Sequence, residues 1–135
     1  MPSKTFAGQF TSLAAIADFI AQAAQEAGFN SKDTYAVKLA VDEACSNIIE
    51  HGYHEHEGSK IRCSYAILND GLKITIQDWG EPFVPGEIPV PDFNVPLFDL
   101  EPRGAGLYFM KNLMDEVTWD FESGDGNILT MVKHK

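Results

Sequence analysis

A carboxylate and a carboxamide one helical turn apart are the first candidates for chemistry in this chain. Glu43 and Asn47 lie four residues apart in Asp42-Glu43-Ala44-Cys45-Ser46-Asn47. On a helix they share one face, beside an apolar stripe. A carboxylate in that position can take a proton from a nucleophile, and an amide oxygen one turn later is a suitable oxygen ligand for Mg²⁺. A solvated helix flank would carry the same two residues. A second candidate is Asp78-Trp79-Gly80-Glu81-Pro82-Phe83, directly after a strand-like run. An aspartate at a strand end can accept a hydrogen bond from an exocyclic amine such as adenine N6. Gly80 lets the backbone approach a flat ring, and Phe83 can pack beside it; an ordinary strand-to-turn transition uses the same residues. The third candidate, Arg103-Gly104-Ala105-Gly106-Leu107, opens a predicted helix. Two glycines free backbone N–H groups to face an anion where the helix dipole favours negative charge, and Arg103 adds a cation at the edge. A flexible turn is its plainer reading.

The elements that must position these residues follow from periodicity. Thr5 to Phe10 reads as a strand, and Thr11 or Ser12 as the cap of a helix through Leu13, Ile16, Phe19, Ile20, Ala23 and Ala24, stopped by Gly28. Ser31 is the predicted cap of a second helix with the stripe Val37, Val41, Ala44, Cys45 and Ile48, ending at Gly52. Ile61, Cys63, Tyr65 and Ile67 alternate up to a turn at Asn69-Asp70-Gly71, and Leu72, Ile74 and Ile76 alternate after it, which predicts a hairpin. Six of the seven prolines fall between Glu81 and Pro102, so residues 81–103 are read as a lid rather than as regular structure. A third helix is expected over Leu107 to Met114. A second hairpin follows, with Val117, Trp119 and Phe121 before Ser123-Gly124-Asp125-Gly126 and Ile128, Thr130 and Val132 after it. The grouping predicts an α+β two-layer sandwich, one domain over residues 1–135, with helices on one face of a mostly antiparallel sheet.

Composition narrows the function classes. The chain has 135 residues and is 44% hydrophobic, enough for one packed core. A formal net charge of -10 disfavours nucleic acid and anionic membrane surfaces as partners; it can steer a basic protein partner, or simply keep the chain soluble. No stretch is long and apolar enough to span a bilayer, and no signal-peptide layout is present, so a cytoplasmic location is expected. Cys45 and Cys63 are expected as reduced core thiols. His51, His54 and His56, near Glu50, Glu55 and Glu57, read as a solvated helix end and turn rather than as a metal site.

The three candidates occur in order on a helix, at a strand end and at a helix start, with the lid between the last two. In this the sequence resembles the Bergerat-fold ATPases shared by gyrase, mismatch-repair proteins and histidine kinases. Glu43-x3-Asn47 is similar to the N box, Asp78-x-Gly80 to the first glycine box and Gly104-x-Gly106 to the second. Gly126 to Thr130 is similar to the final glycine-threonine element. The nearest likeness is to the anti-sigma factor serine kinases, carried by residues 47–53, Asp78-Trp79-Gly80-Glu81-Pro82-Phe83, residues 103–107 and residues 110–115. The resemblance implies ATP and Mg²⁺, with Glu43 as general base, Asn47 as Mg²⁺ ligand and Asp78 as adenine reader. It implies that Gly80, Gly104, Ala105 and Gly106 shape the nucleotide pocket, that Arg103 lies near the phosphates and that Thr130 supports the adenine end. The implied reaction transfers the ATP γ-phosphoryl group to a serine of a small STAS-type antagonist. A sigma factor is the other implied partner, and a homodimer is possible. Two alternatives remain open at this stage: a nucleotide-responsive binding module without catalysis, and an interaction protein that keeps the fold but not ATP.

Overall fold

The computed structural model describes residues 2–52, 58–80, 110–122 and 124–135. Its elements are β1 (Ser3–Ala7), α1 (Leu13–Glu26), α2 (Ser31–Asn47), β2 (Lys60–Leu68), β3 (Gly71–Asp78), β4 (Glu116–Asp120) and β5 (Asn127–His134). The strands form one five-stranded sheet in the order β1-β2-β3-β5-β4, and every neighbouring pair is antiparallel. The α+β sandwich expected from the grouping of elements is the observed architecture.

Alternation along the strands sorts side chains between two faces. Phe6, Ile61, Cys63, Tyr65, Leu72, Ile74, Ile76, Leu129 and Met131 point to one core. Helix α1 covers it with Ile16, Ile20, Ala23 and Ala24, and α2 with Val37, Ala40, Val41, Ala44 and Cys45. Phe19 stacks edge-on between Phe6 and Tyr65, with centroids 6.1 and 5.4 Å away, and the Tyr65 hydroxyl donates to Glu26 Oε2 at 2.9 Å, fastening β2 to α1. The opposite face is polar. Ser3, Arg62, Ser64, Thr75 and Gln77 line a shallow depression of about 300 Å³ there.

The element ends depart from the sequence expectations for local reasons. The first strand stops at Ala7, because residues Phe10–Ser12 form a 3-10 turn that runs straight into α1. Phe10, expected beside Phe6, is therefore exposed. Ser12 precedes α1 in a helical conformation and makes no capping bond with its side chain. The cap of α2 is Asn30, whose Oδ1 accepts the Asp33 N–H at 2.8 Å, and not Ser31. Gly28 does stop α1, with φ of 84° that suits glycine and its N–H on the Gln25 carbonyl. Past Asn47 the helix widens into a π turn, Ile48–Gly52, in which Ile49 is fully buried. Of the third expected helix, residues 110–114 are described, and they are helical as far as 113; residues 81–109, the lid included, lie outside the described residues.

Candidate functional site

The site begins where two central strands meet. Asp78 ends β3 and Asn127 begins β5, and the register sets them opposite each other. Both are buried, at 6% and 8% exposure, on the face that carries Ile76 and Leu129. The Asp78 carboxylate accepts two hydrogen bonds on one oxygen, Oδ1: the Gly80 N–H at 2.9 Å and the Asn127 side-chain amide at 3.1 Å. The same Asn127 Nδ2 donates to the Gly80 carbonyl at 2.9 Å. Because both partners are acceptors, the amide must present nitrogen to them. Burial pushes the Asp78 carboxyl above its ordinary range, while the bonds from Asn127 and Gly80 pull it back in part.

The strand ends are held together tightly. Gly126 has φ of 79°, and a Cβ there would stand 2.3 Å from the Asp78 carbonyl oxygen and 2.8 Å from Trp79 Cδ1. Only glycine satisfies both the backbone conformation and the space. One residue back, Gln77 Nε2 donates to the Asp125 carbonyl at 2.6 Å. Trp79, half-exposed, lies against the Gly126 backbone.

Helix α2 contributes the second part. Its apolar stripe buries Ala44 and Cys45, which leaves Glu43 and Asn47 half-buried on the flank. Asn47 Nδ2 donates to the Glu43 carbonyl at 2.7 Å, so its Oδ1 is left as the oxygen donor. Partial burial raises the Glu43 carboxyl above its ordinary value, and the neighbouring Asp42 charge adds to the shift. A carboxylate moved in that direction is a better proton acceptor. Cys45 joins the two parts. Its thiol is pushed well up, first by a hydrogen bond with Cys63 and by burial, then by the charges of Cys63, Asp42 and Asp78. Cys45, which lies between Glu43 and Asn47 in the chain, is thus the α2 side chain that feels the Asp78 charge. Both cysteines are free and buried, as expected.

Of the residues singled out from sequence, Asp78 and Gly80 share one turn, and Glu43 and Asn47 share one flank of α2. Thr130 is not part of this group. It pairs with Thr75 and Thr118 and so points to the polar face, away from Asp78. The residue that meets Asp78 is Asn127, which the sequence reading passed over. Phe83, Arg103, Gly104, Ala105 and Gly106 lie outside the described residues, as do His54 and His56. Among the described residues no cluster of three or more His, Cys, Asp or Glu side chains is arranged to hold a metal. A hard cation bound through one amide oxygen and the phosphates of a nucleotide needs no such cluster, and Asn47 fits that demand. Among the described residues no helix is long and apolar enough to cross a membrane.

Comparison with known proteins gives concordant results. The family described as histidine kinase-like ATPase domain matches residues 6–133. The serine-protein kinase RsbW of Bacillus velezensis is 29% identical over 123 residues, spanning 82% of this chain and 71% of that protein. The serine-protein kinase RsbW of Bacillus mycoides is 31% identical over 115 residues, with the same two coverages, 82% and 71%. Among solved structures, the RsbU and RsbW domains of Rv1364c from Mycobacterium tuberculosis superpose with a TM-score of 0.62 at 15% identity, over 99% of this chain and 32% of that one. The histidine kinase domain of the Erythrobacter litoralis EL346 blue-light activated histidine kinase gives 0.55 at 16% identity, over 92% of this chain and 59% of that one. At those identities the structural likeness speaks to fold.

Proposed function

The chain belongs to the histidine kinase-like ATPase family, and on that premise we propose that it is an ATP-dependent serine/threonine protein kinase acting as an anti-sigma regulatory factor. Its relatives of about 30% identity are serine-protein kinases by name. The observation that carries the reading is the buried Asp78 carboxylate, fixed at a strand end beside Gly80 and facing the helix that bears Glu43 and Asn47.

In this reading Asp78 accepts the adenine N6–H through Oδ2, since both of its described bonds fall on Oδ1. Gly80 leaves room for the ring, and Phe83 packs beside it. Asn47 Oδ1 holds Mg²⁺, which, when bound, neutralises charge on the phosphates. Arg103 and the backbone of Gly104, Ala105 and Gly106 cradle the phosphates, with residues 81–103 closing over them. Glu43 takes the proton of a serine hydroxyl as its oxygen bonds to the γ-phosphorus. The bond from that phosphorus to the bridging oxygen breaks, and ADP leaves. Positioning and charge stabilisation supply most of the rate in such a transfer. Thr130 has no role at the adenine end. The phosphoryl acceptor is a serine of a STAS-type antagonist, and a sigma factor is the second partner, both met in the cytoplasm.

The test is transfer of label from γ-labelled ATP, with Mg²⁺, to a serine of a STAS-type antagonist domain. Label on that serine is the expected result. Nucleotide-dependent binding of the antagonist without any label would replace the kinase by a binding module that switches with its nucleotide.

A further inference from the structure

We propose that Asn127 sets the base selectivity of this pocket, holding the Asp78 carboxylate as a fixed acceptor that admits a 6-amino purine and rejects a 6-oxo purine. The inference rests on the adenine-reading role proposed above for Asp78 and adds to it a positioning residue from a different strand.

The argument starts from what a buried aspartate can do. Ionised, it only accepts hydrogen bonds, so it favours an N6 amine and repels an O6 carbonyl. Protonated, it donates as well, and a 6-oxo base becomes acceptable. Burial drives Asp78 toward the second state, and the donors on Oδ1 drive it toward the first. Among the described residues there are two such donors. The Gly80 N–H belongs to the local turn, two residues from Asp78. The Asn127 amide comes from 49 residues away and is the only one of the two that a side-chain change can remove. Its bond to the Gly80 carbonyl fixes the turn in the same step. One amide group therefore sets the carboxylate rotamer, its ionisation and the backbone that faces the ring.

The ionisable surroundings leave this role to Asn127. On α2, the thiol facing Asp78 is Cys45, held neutral by burial and by its bond with Cys63. On β2, Ile61 lies directly opposite Asp78, with Cys63 two residues along the same face. Arg62 pairs with Gln77 and points to the other face of the sheet. Among the described residues no cation faces the carboxylate from α2, β2 or β5, so the neutral donors decide its state.

The experiment compares ATP with ITP, its 6-oxo counterpart, by calorimetric titration of the full chain. Wild type is expected to prefer ATP strongly. Asn127→Ala is expected to lose about tenfold in ATP affinity, the scale of one hydrogen bond to a charged group, while ITP affinity holds or rises, so that the preference collapses. A parallel fall for both nucleotides, or an unchanged ratio, overturns the inference. Asn127→Asp supplies a second readout that a merely structural role would not move. Its carboxyl mimics the amide donor only while protonated, so ATP affinity should survive in acid and fall as pH rises, a fall that wild type does not share. A level profile in Asn127→Asp overturns the inference too. If wild type binds neither nucleotide, the kinase reading falls and takes this one with it; if wild type prefers ATP and Asn127→Ala keeps that preference, only the inference falls.

Discussion

The two halves of the site are built differently. At the junction of β3 and β5 the Asp78 carboxylate is buried, receives two hydrogen bonds and is braced by a strand register, a glycine contact and a side-chain tether. On the flank of α2 the carboxylate of Glu43 is half-buried, and Asn47 is anchored by one bond to its own helix. In the proposed reading the first half is the recognition surface. The second is, in the same reading, a pair of groups that would act on the nucleotide and the protein substrate. Binding and catalysis should therefore separate under mutation, since a group that acts only as charge moves contributes little to ground-state affinity.

The largest effect is expected from breaking the catalytic half alone. Glu43→Ala removes the proposed base, for which losses of about 10²–10⁴-fold in rate are typical. ATP affinity should stay at the wild-type level, because a base that acts on the serine hydroxyl adds little to ground-state binding of the nucleotide. Single-turnover transfer and nucleotide titration together check this. Loss of ATP affinity in parallel with rate would erase the distinction between the halves.

Asp78→Asn is the converse. It should weaken ATP binding by about tenfold to a hundredfold, the scale of a hydrogen bond to a charged group. The unliganded protein should not become less stable at neutral pH. The folded-state pKa of Asp78 lies above its ordinary value, so its favourable contribution is present below the unfolded pKa and is lost as pH rises through the folded one. At pH 7 the wild-type carboxylate is a stability cost that the amide does not carry. Melting without nucleotide, beside titration with ATP, reads both quantities.

Gly126→Ala attacks the bracing. An added Cβ would meet the Asp78 carbonyl and the Trp79 ring, on a backbone with φ of 79°. Strain of that kind costs about 1–3 kcal/mol. The melting temperature should fall, and ATP affinity with it, because the strand ends that place Asp78 and Asn127 must part. A variant of normal melting temperature and normal affinity would show that the bracing is not needed.

The same contrast explains which parts were legible in the sequence. Glu43 and Asn47 belong to one helix, and Asp78 and Gly80 to one strand end, so short-range periodicity exposes both pairs. The hairpin around Asn69 and Asp70 was equally plain, because its turn and alternation are local. The bond between Asn127 and Asp78 spans 49 residues and depends on which strand lies beside which. A sequence does not state that β5 inserts between β3 and β4. The likeness of Gly126 to Thr130 singled out Thr130, which lies on the opposite face of the sheet from Asp78. A signal was nevertheless present: Leu129 and Met131 face the core, so counting back by two puts Asn127 on their face and Thr130 on the other. The end of β1 was missed because the 3-10 turn at Phe10–Ser12 leaves no mark in hydrophobic periodicity.

The smallest predicted effect tests the looser half by its electrostatics. Burial and, after it, the charge of Asp42 hold the Glu43 carboxyl above its ordinary value. The folded chain thus binds that proton more tightly than the unfolded chain does. The stability this brings is full below the unfolded pKa and disappears as pH rises through the folded one. Glu43→Gln carries no such dependence, so its melting temperature should exceed that of wild type at pH 7 to 8 and converge on it near pH 4. Half-exposure keeps the gain at about 1 kcal/mol or less, since solvent and salt screen the charge. Raising the salt concentration should shrink the part due to Asp42 and leave the part due to burial, because screening acts on the pair and not on desolvation. A melting temperature for Glu43→Gln that tracks wild type at every pH would mean that the Glu43 carboxylate is as well solvated as any on the surface, and its case as a base with a raised pKa would rest on position alone.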